Sequence, residues 1–148
     1  MKREKINEMK IRFRALSTNE AFARILTTAF LMPYSPTVEE LADIKTAVSE
    51  AVTNAIVHGY RSDSEKLVTM TEVMYSDGTF VVSVADRGCG IPDVHKAMEP
   101  LFTTDAENER SGMGFSIMET FSDKLRVVSS VGCGTRVTMT KKLSEFGK

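Results

Sequence analysis

Near its start the chain alternates, with Met9, Ile11, Phe13 and Ala15 on one side and Lys10, Arg12 and Arg14 on the other. A period of two with one apolar side predicts a half-buried strand over 9–15. The period then lengthens: Phe22, Ile25, Leu26, Ala29 and Phe30 recur at helical spacing. Ser17 with Glu20 three residues on reads as a capping box opening that helix. Pro33-Tyr34-Ser35-Pro36 breaks it, because proline removes a backbone donor and disfavours helix in the residue before it. Thr37 and Glu40 supply a second capping box, and the stripe Leu41, Ile44, Val48, Ala51 and Ala55 predicts a helix running to about Gly59.

Two strands are predicted next, over 66–75 and 79–86, joined through the hairpin signal Ser76-Asp77-Gly78. Residues 87–93 read as a loop. The weakly periodic, polar stretch 95–112 reads as a mobile connection with at most short helices. Residues 113–121 predict a short amphipathic helix, and 124–131 with 135–140 a second hairpin about Gly132-Cys133-Gly134. This order of elements predicts an α+β, two-layer sandwich, a mostly antiparallel sheet covered by helices on one face. A doubly wound parallel sheet is excluded, because the strand–helix alternation it requires is missing. The 148 residues show no repeat or linker, which fits one domain over 1–148.

A formal net charge of −1 gives no overall basic field, so direct nucleic-acid binding is not expected. The basic residues of the first fourteen positions read as a solvated arm. No apolar run reaches membrane-span length and the start lacks a signal-peptide core, so a cytoplasmic protein without membrane attachment is expected. Cys89 and Cys133 lie in glycine-rich stretches rather than a disulfide framework. No pair among Cys89, Cys133, His58 and His95 has the spacing of metal ligands.

Four stretches carry candidate chemistry. In Ser49–Tyr60, Glu50, Asn54 and His58 fall four apart, so they form a slanting row beside the apolar stripe of the helix, rotating about 40° per step. The plainer reading is a boundary acid and a satisfied amide, although an asparagine within a helix usually has a reason to be there. In Asp86-Arg87-Gly88-Cys89-Gly90, Asp86 shares parity with Phe80, Val82 and Val84. Its carboxylate therefore continues an apolar face, where a buried acid needs donors such as an adenine amino group. Gly88 and Gly90 permit a sharp turn and close approach to a flat ligand, or simply end a strand. In Ser111-Gly112-Met113-Gly114-Phe115, two glycines precede a helix whose free N–H groups suit phosphate oxygens. Ser111 could cap that helix and Arg110 could answer phosphate charge, or the segment is a plain loop-to-helix junction. Thr135 shares parity with Val137 and Met139, which turns its hydroxyl inward; a β-prone threonine after a turn is the alternative.

In this order and spacing, the four pieces resemble the Bergerat-type ATP-binding fold of the gyrase, heat-shock chaperone, histidine kinase and mismatch-repair ATPase superfamily. With the flanking Ser17–Arg24 and Pro100–Thr104 stretches, the whole chain resembles bacterial anti-sigma factors that are also protein-serine kinases, nearest to their sporulation branch. The resemblance implies ATP or ADP with Mg²⁺, Asn54 as the Mg²⁺ ligand, and Glu50 as the carboxylate that accepts or orients the attacking hydroxyl's proton. It implies that Asp86 binds the adenine amino group with Thr135 in support, and that Gly88, Gly90, Gly112 and Gly114 shape the adenine loop and phosphate seat. The stretch 98–111 becomes a lid over ATP, and Thr103, Thr104, Arg110, Ser111, Met113 and Phe115 join the nucleotide contacts. His58 stays open between pocket wall and helix-end packing. Implied partners are a sigma factor of the sigma-F type, an anti-anti-sigma substrate and a second copy in a homodimer. Arg24, one turn after Glu20, reads either as an exposed partner contact or as a solvated arginine.

Other readings are weighed on the same residues. A sensor histidine kinase needs a phosphoacceptor histidine upstream of the ATP site, and the chain has only His58 and His95. A nucleotide-gated binding module without catalysis has no use for Glu50. A stress-response anti-sigma kinase is the nearest rival within the family.

Overall fold

The computed structural model describes residues 3–99 and 114–148. In chain order it has β1 (Lys5–Arg14), α1 (Thr18–Leu31), a 3₁₀ turn (Met32–Tyr34), α2 (Val38–Asn54), a π turn (Ala55–Gly59), and the strands β2 (Leu67–Tyr75) and β3 (Thr79–Asp86). After these come α3 (Val94–Ala97), α4 (Gly114–Thr120), β4 (Lys124–Ser130) and β5 (Gly134–Lys142). The strands form one sheet in the order β1-β2-β3-β5-β4, and every neighbouring pair is antiparallel. This is the α+β sandwich expected.

Register lines up the core. Ile11, Met70, Val84, Val137 and Val127 stand side by side across all five strands, and Met9, Glu72, Val82, Met139 and Leu125 form the next row. These inward positions meet Leu31, Ile44, Val48, Val52 and Ile56 from the helix layer in one buried cluster. One row further along, the same face turns polar with Asp86, Thr135 and Ser129. That change of character marks the end of the core and the start of a cavity.

The two expected capping boxes fare differently. Thr37 is extended (φ −69°, ψ 161°), its hydroxyl accepts from Glu40 N, and the Glu40 carboxylate accepts from Thr37 N at 2.9 Å. The box at Ser17 does not form. Ser17 is itself helical (φ −59°, ψ −30°) and makes no side-chain cap, because a cap hydroxyl reaches back to the first turn only from an extended residue. Glu20 bonds instead to Ser49 of α2 and pairs with Arg24 at 3.1 Å. The Arg24 side chain is 42% exposed, with its Nε buried against Glu20.

The long helix also ends differently. The α-helical pattern stops at Asn54, and Tyr60 N bonds to Ala55 O at 3.0 Å, a step of five residues that makes the last turn a π turn. Such turns gather at functional sites. The first strand begins at Lys5 rather than at 9, with a bulge between Lys5 and Asn7.

Candidate functional site

A cavity of about 600 Å³ opens between the C-terminal end of α2, the loop after β3 and the start of α4. Its floor is apolar, from Ala51, Ala55, Val84 and Val137. Among the residues expected from sequence, Asn54, His58, Asp86, Gly90, Gly114, Phe115 and Thr135 line it. An apolar floor with a few convergent polar groups is the usual form of a small-molecule site.

Asp86 closes β3 with its side chain on the inner face. Gly88 N donates to Asp86 Oδ1 at 2.9 Å. Burial pushes the Asp86 carboxyl above its ordinary range, while the backbone N–H groups of Gly88 and Thr135 pull it back. Three glycines make this placement possible. A Cβ on Gly59 would stand 2.6 Å from the Asp86 carboxyl carbon, and one on Gly88 would stand 1.8 Å from Gly59 O. At Gly134 an added Cβ would lie 2.0 Å from Asp86 O. The loop after β3 thus rests backbone to backbone on the π turn, and Cys89 N donates to Gly59 O at 3.0 Å. Tyr60 steadies the same joint, its hydroxyl accepting from Arg87 N at 2.7 Å and donating to Leu67 O at 2.7 Å.

At the opposite wall the first residue of α4 lies against the polar row of α2. A Cβ on Gly114 would stand 3.1 Å from Asn54 Nδ2, 3.2 Å from Asn54 Oδ1 and 3.5 Å from Glu50 Oε2. Glu50 and Asn54 therefore meet at the helix start, both half-buried. His58, carried round by the π turn, joins Asn54 on the cavity wall, whereas Glu50 lies behind Asn54 and does not line the cavity. Arg24 lies apart on α1 and does not line the cavity. The expected contacts Thr103, Thr104, Arg110, Ser111, Gly112 and Met113, and the lid that holds them, fall outside the described residues.

Sequence reasoning missed Ser129. Its hydroxyl accepts from Ile91 N at 2.7 Å and shares a 2.8 Å hydrogen bond with Thr135 Oγ1. Strand parity with Leu125 and Val127 was the signal for it. Also missed were Arg61, Asp93 and Lys96 at the cavity rim. Cys89 is exposed, lines the cavity and donates its thiol to His58 O at 3.1 Å.

The oxygen donors beside Gly114 suit a hard cation of the Mg²⁺ type. Such an ion keeps several waters and takes few ligands from the protein. No group of three or more His, Cys, Asp or Glu side chains among the described residues could hold a metal ion by itself.

The sequence matches the histidine kinase-like ATPase domain family over residues 13–141. The chain belongs to that family, whose ATPase domain implies nucleotide binding. Within it the chain belongs with the anti-sigma F factors. It is 54% identical over 136 residues to the anti-sigma F factor of Lysinibacillus sphaericus, covering 92% of each chain. It is 50% identical over 139 residues to that of Geobacillus kaustophilus, covering 94% of each.

Solved structures agree on the fold. The RsbU and RsbW domains of Rv1364c from Mycobacterium tuberculosis superpose with a TM-score of 0.68 at 23% identity, over 93% of this chain and 32% of that one. The histidine kinase domain of the Erythrobacter litoralis EL346 blue-light activated histidine kinase superposes with a TM-score of 0.55 at 29% identity, over 72% of this chain and 46% of that one. No helix among the described residues is long and apolar enough to cross a membrane.

Proposed function

We propose that this chain is a single-domain, Mg·ATP-dependent protein-serine kinase that also binds and inhibits a sporulation sigma factor of the sigma-F type. Its substrate is an anti-anti-sigma protein, and phosphorylation keeps that rival from freeing the sigma factor. The observation that carries the reading is Asn54 on one wall of a cavity whose other wall holds Asp86, with Glu50 beside Asn54 at the start of α4. The names of the relatives support the sigma-F partner. The protein acts in the cytoplasm as a homodimer, and Arg24 contributes to partner contact.

In this reading Asp86 accepts the adenine amino group and Thr135 supports it. Asn54 would hold Mg²⁺, which when bound would supply charge neutralisation for the phosphates. Glu50 accepts the proton of the attacking serine hydroxyl. Phosphoryl transfer depends mostly on positioning and electrostatics, and the residues here supply both.

Two substitutions test it. Asn54→Ala removes the metal contact, so Mg·ATP affinity and phosphotransfer both fall. Glu50→Gln keeps shape and loses basicity, so nucleotide affinity stays while initial phosphorylation of the anti-anti-sigma partner drops by roughly a hundredfold. A wild-type rate for Glu50→Gln makes Glu50 a boundary acid with no catalytic role, whereas no phosphorylation of the partner by the wild type leaves a nucleotide-gated binding module as the better description.

A further inference from the structure

Glu72 sits in the middle of the apolar inner face of the sheet. In register it faces Met9 on β1 and Val82 on β3, and it is 0% exposed. Neither carboxylate oxygen has a hydrogen bond of normal geometry among the described residues; the Thr27 hydroxyl of α1, likewise without one, is the polar group turned toward it. A polar group of this kind costs free energy, and an ionised one costs much more.

The elements packed around Glu72 bring it no counter-charge. On β1, Glu8 and Lys10 flank Met9 and turn to the other face of the sheet. Between Thr79 and Ala85, β3 has no ionisable side chain. On α1, Glu20 and Arg24 pair with each other. On α2, Asp43 pairs with Lys141 at 3.6 Å, and Glu40 is taken by Thr37 and Ser144. Burial therefore pushes the Glu72 carboxyl up to about 7, opposed only by the Thr27 hydroxyl.

An ionised Glu72 needs water, and the layers around it differ in how readily they admit it. Strands β1, β2 and β3 are bonded to one another along their lengths. Helix α1 is held by side chains: the buried Ala23 and Leu31, Phe30 on Phe80 at its far end, and the Glu20–Ser49 and Asn19–Arg14 bonds near its start. Thr27 lies between those anchors. We propose that Glu72 is a proton-controlled latch on α1: neutral, it lets the helix seat on the sheet, and ionised, it favours a lifted helix with water at the carboxylate. Helix α1 also presents Arg24 and the exposed Phe22 and Ile25. If Arg24 contacts a partner as proposed above, the latch regulates that contact, but the latch itself does not depend on any partner.

The sign follows from linkage. The seated state binds the proton more tightly than the lifted one. Its advantage is full below the ordinary Glu value and is lost as pH rises from there through about 7. Between about pH 6 and about pH 8 the α1 opening constant should rise roughly tenfold. Amide hydrogen exchange of α1, corrected for the intrinsic rate, reads it in the wild type, in Glu72→Gln and in Glu72→Val. The expected result is a roughly tenfold rise confined to α1 in the wild type and a flat profile in whichever variants fold. A flat wild-type profile, a slope that survives in either variant, or a rise shared equally by β3 and β5 overturns the latch.

Discussion

The inner face of the sheet carries two inward carboxylates, and they differ in what surrounds them. At the α2 end, Asp86 accepts the Gly88 N–H at 2.9 Å and borders an open cavity. Beneath α1, Glu72 has no backbone N–H donor and no cavity; its register neighbours are Met9 and Val82, and the Thr27 hydroxyl alone answers its carboxyl. The helices above them differ in the same sense. Helix α2 begins on a complete capping box, whereas α1 begins on a helical serine with no cap. Burial raises both acids, and the surroundings decide the outcome. Fixed N–H donors beside open space make a recognition element, while a closed apolar shell makes a group whose charge the fold resists.

The largest effect is expected at the joint that gives Asp86 its donors. In Gly88→Ala the new methyl would lie 1.8 Å from Gly59 O and 2.3 Å from its carbonyl carbon. Backbone cannot swing aside as a side chain does, so the loop must leave the π turn. Losing that contact should cost about 3 kcal/mol, which lowers Tm by roughly 6–12 °C for a chain of this size. Mg·ADP should then no longer raise Tm. Melting with and without nucleotide checks this, and a Tm within 2 °C of wild type shows that the backbone contact is absent.

Asp86→Asn sharpens the comparison by removing charge and keeping shape. Because the folded-state value is raised, the contribution of Asp86 is full below the ordinary Asp value and lost as pH rises through the folded one. Near neutrality its charge is a cost to the empty protein. The variant should therefore melt no lower than wild type in the absence of nucleotide, yet bind ATP and ADP roughly tenfold or more weakly, since a charged hydrogen-bond acceptor is gone. A lower Tm with unchanged affinity assigns Asp86 a structural role instead.

Much of this contrast was legible in the sequence. Parity placed Asp86 on the inner face with Val82 and Val84, and the four-residue spacing put Glu50, Asn54 and His58 beside the core stripe. The same parity also turned Glu72 inward, in line with Val68, Met70 and Met74. Strand alternation ranks a lone acid within an apolar run below its neighbours, so that signal was overlooked. The π turn was not legible, because it depends on packing of the last turn against the loop after β3 rather than on the local residues. Nor was the backbone seat of Gly88 on Gly59, since the two are distant in sequence and meet only through the fold. Ser129 shows the same limit: its role follows from where Ile91 and Thr135 come to lie.

The smallest effects should separate the two helix starts. Thr37→Ala removes an accepting hydroxyl that Glu40 N uses at 3.0 Å and breaks the reciprocal box. It should cost about 1 kcal/mol. The partner carboxylate sharpens the test. Burial alone would raise Glu40, but the N–H groups of Thr37 and Ser144 outweigh it and hold its carboxyl below the ordinary range. Its contribution is therefore present above the ordinary Glu value and lost as pH falls through the folded one. Ser17→Ala removes a hydroxyl that caps nothing, so its effect should stay within about 0.5 kcal/mol. Urea unfolding of both variants at neutral pH reads the difference directly. Equal losses mean that Ser17 caps α1 in solution, and the contrast between the two helix starts then disappears.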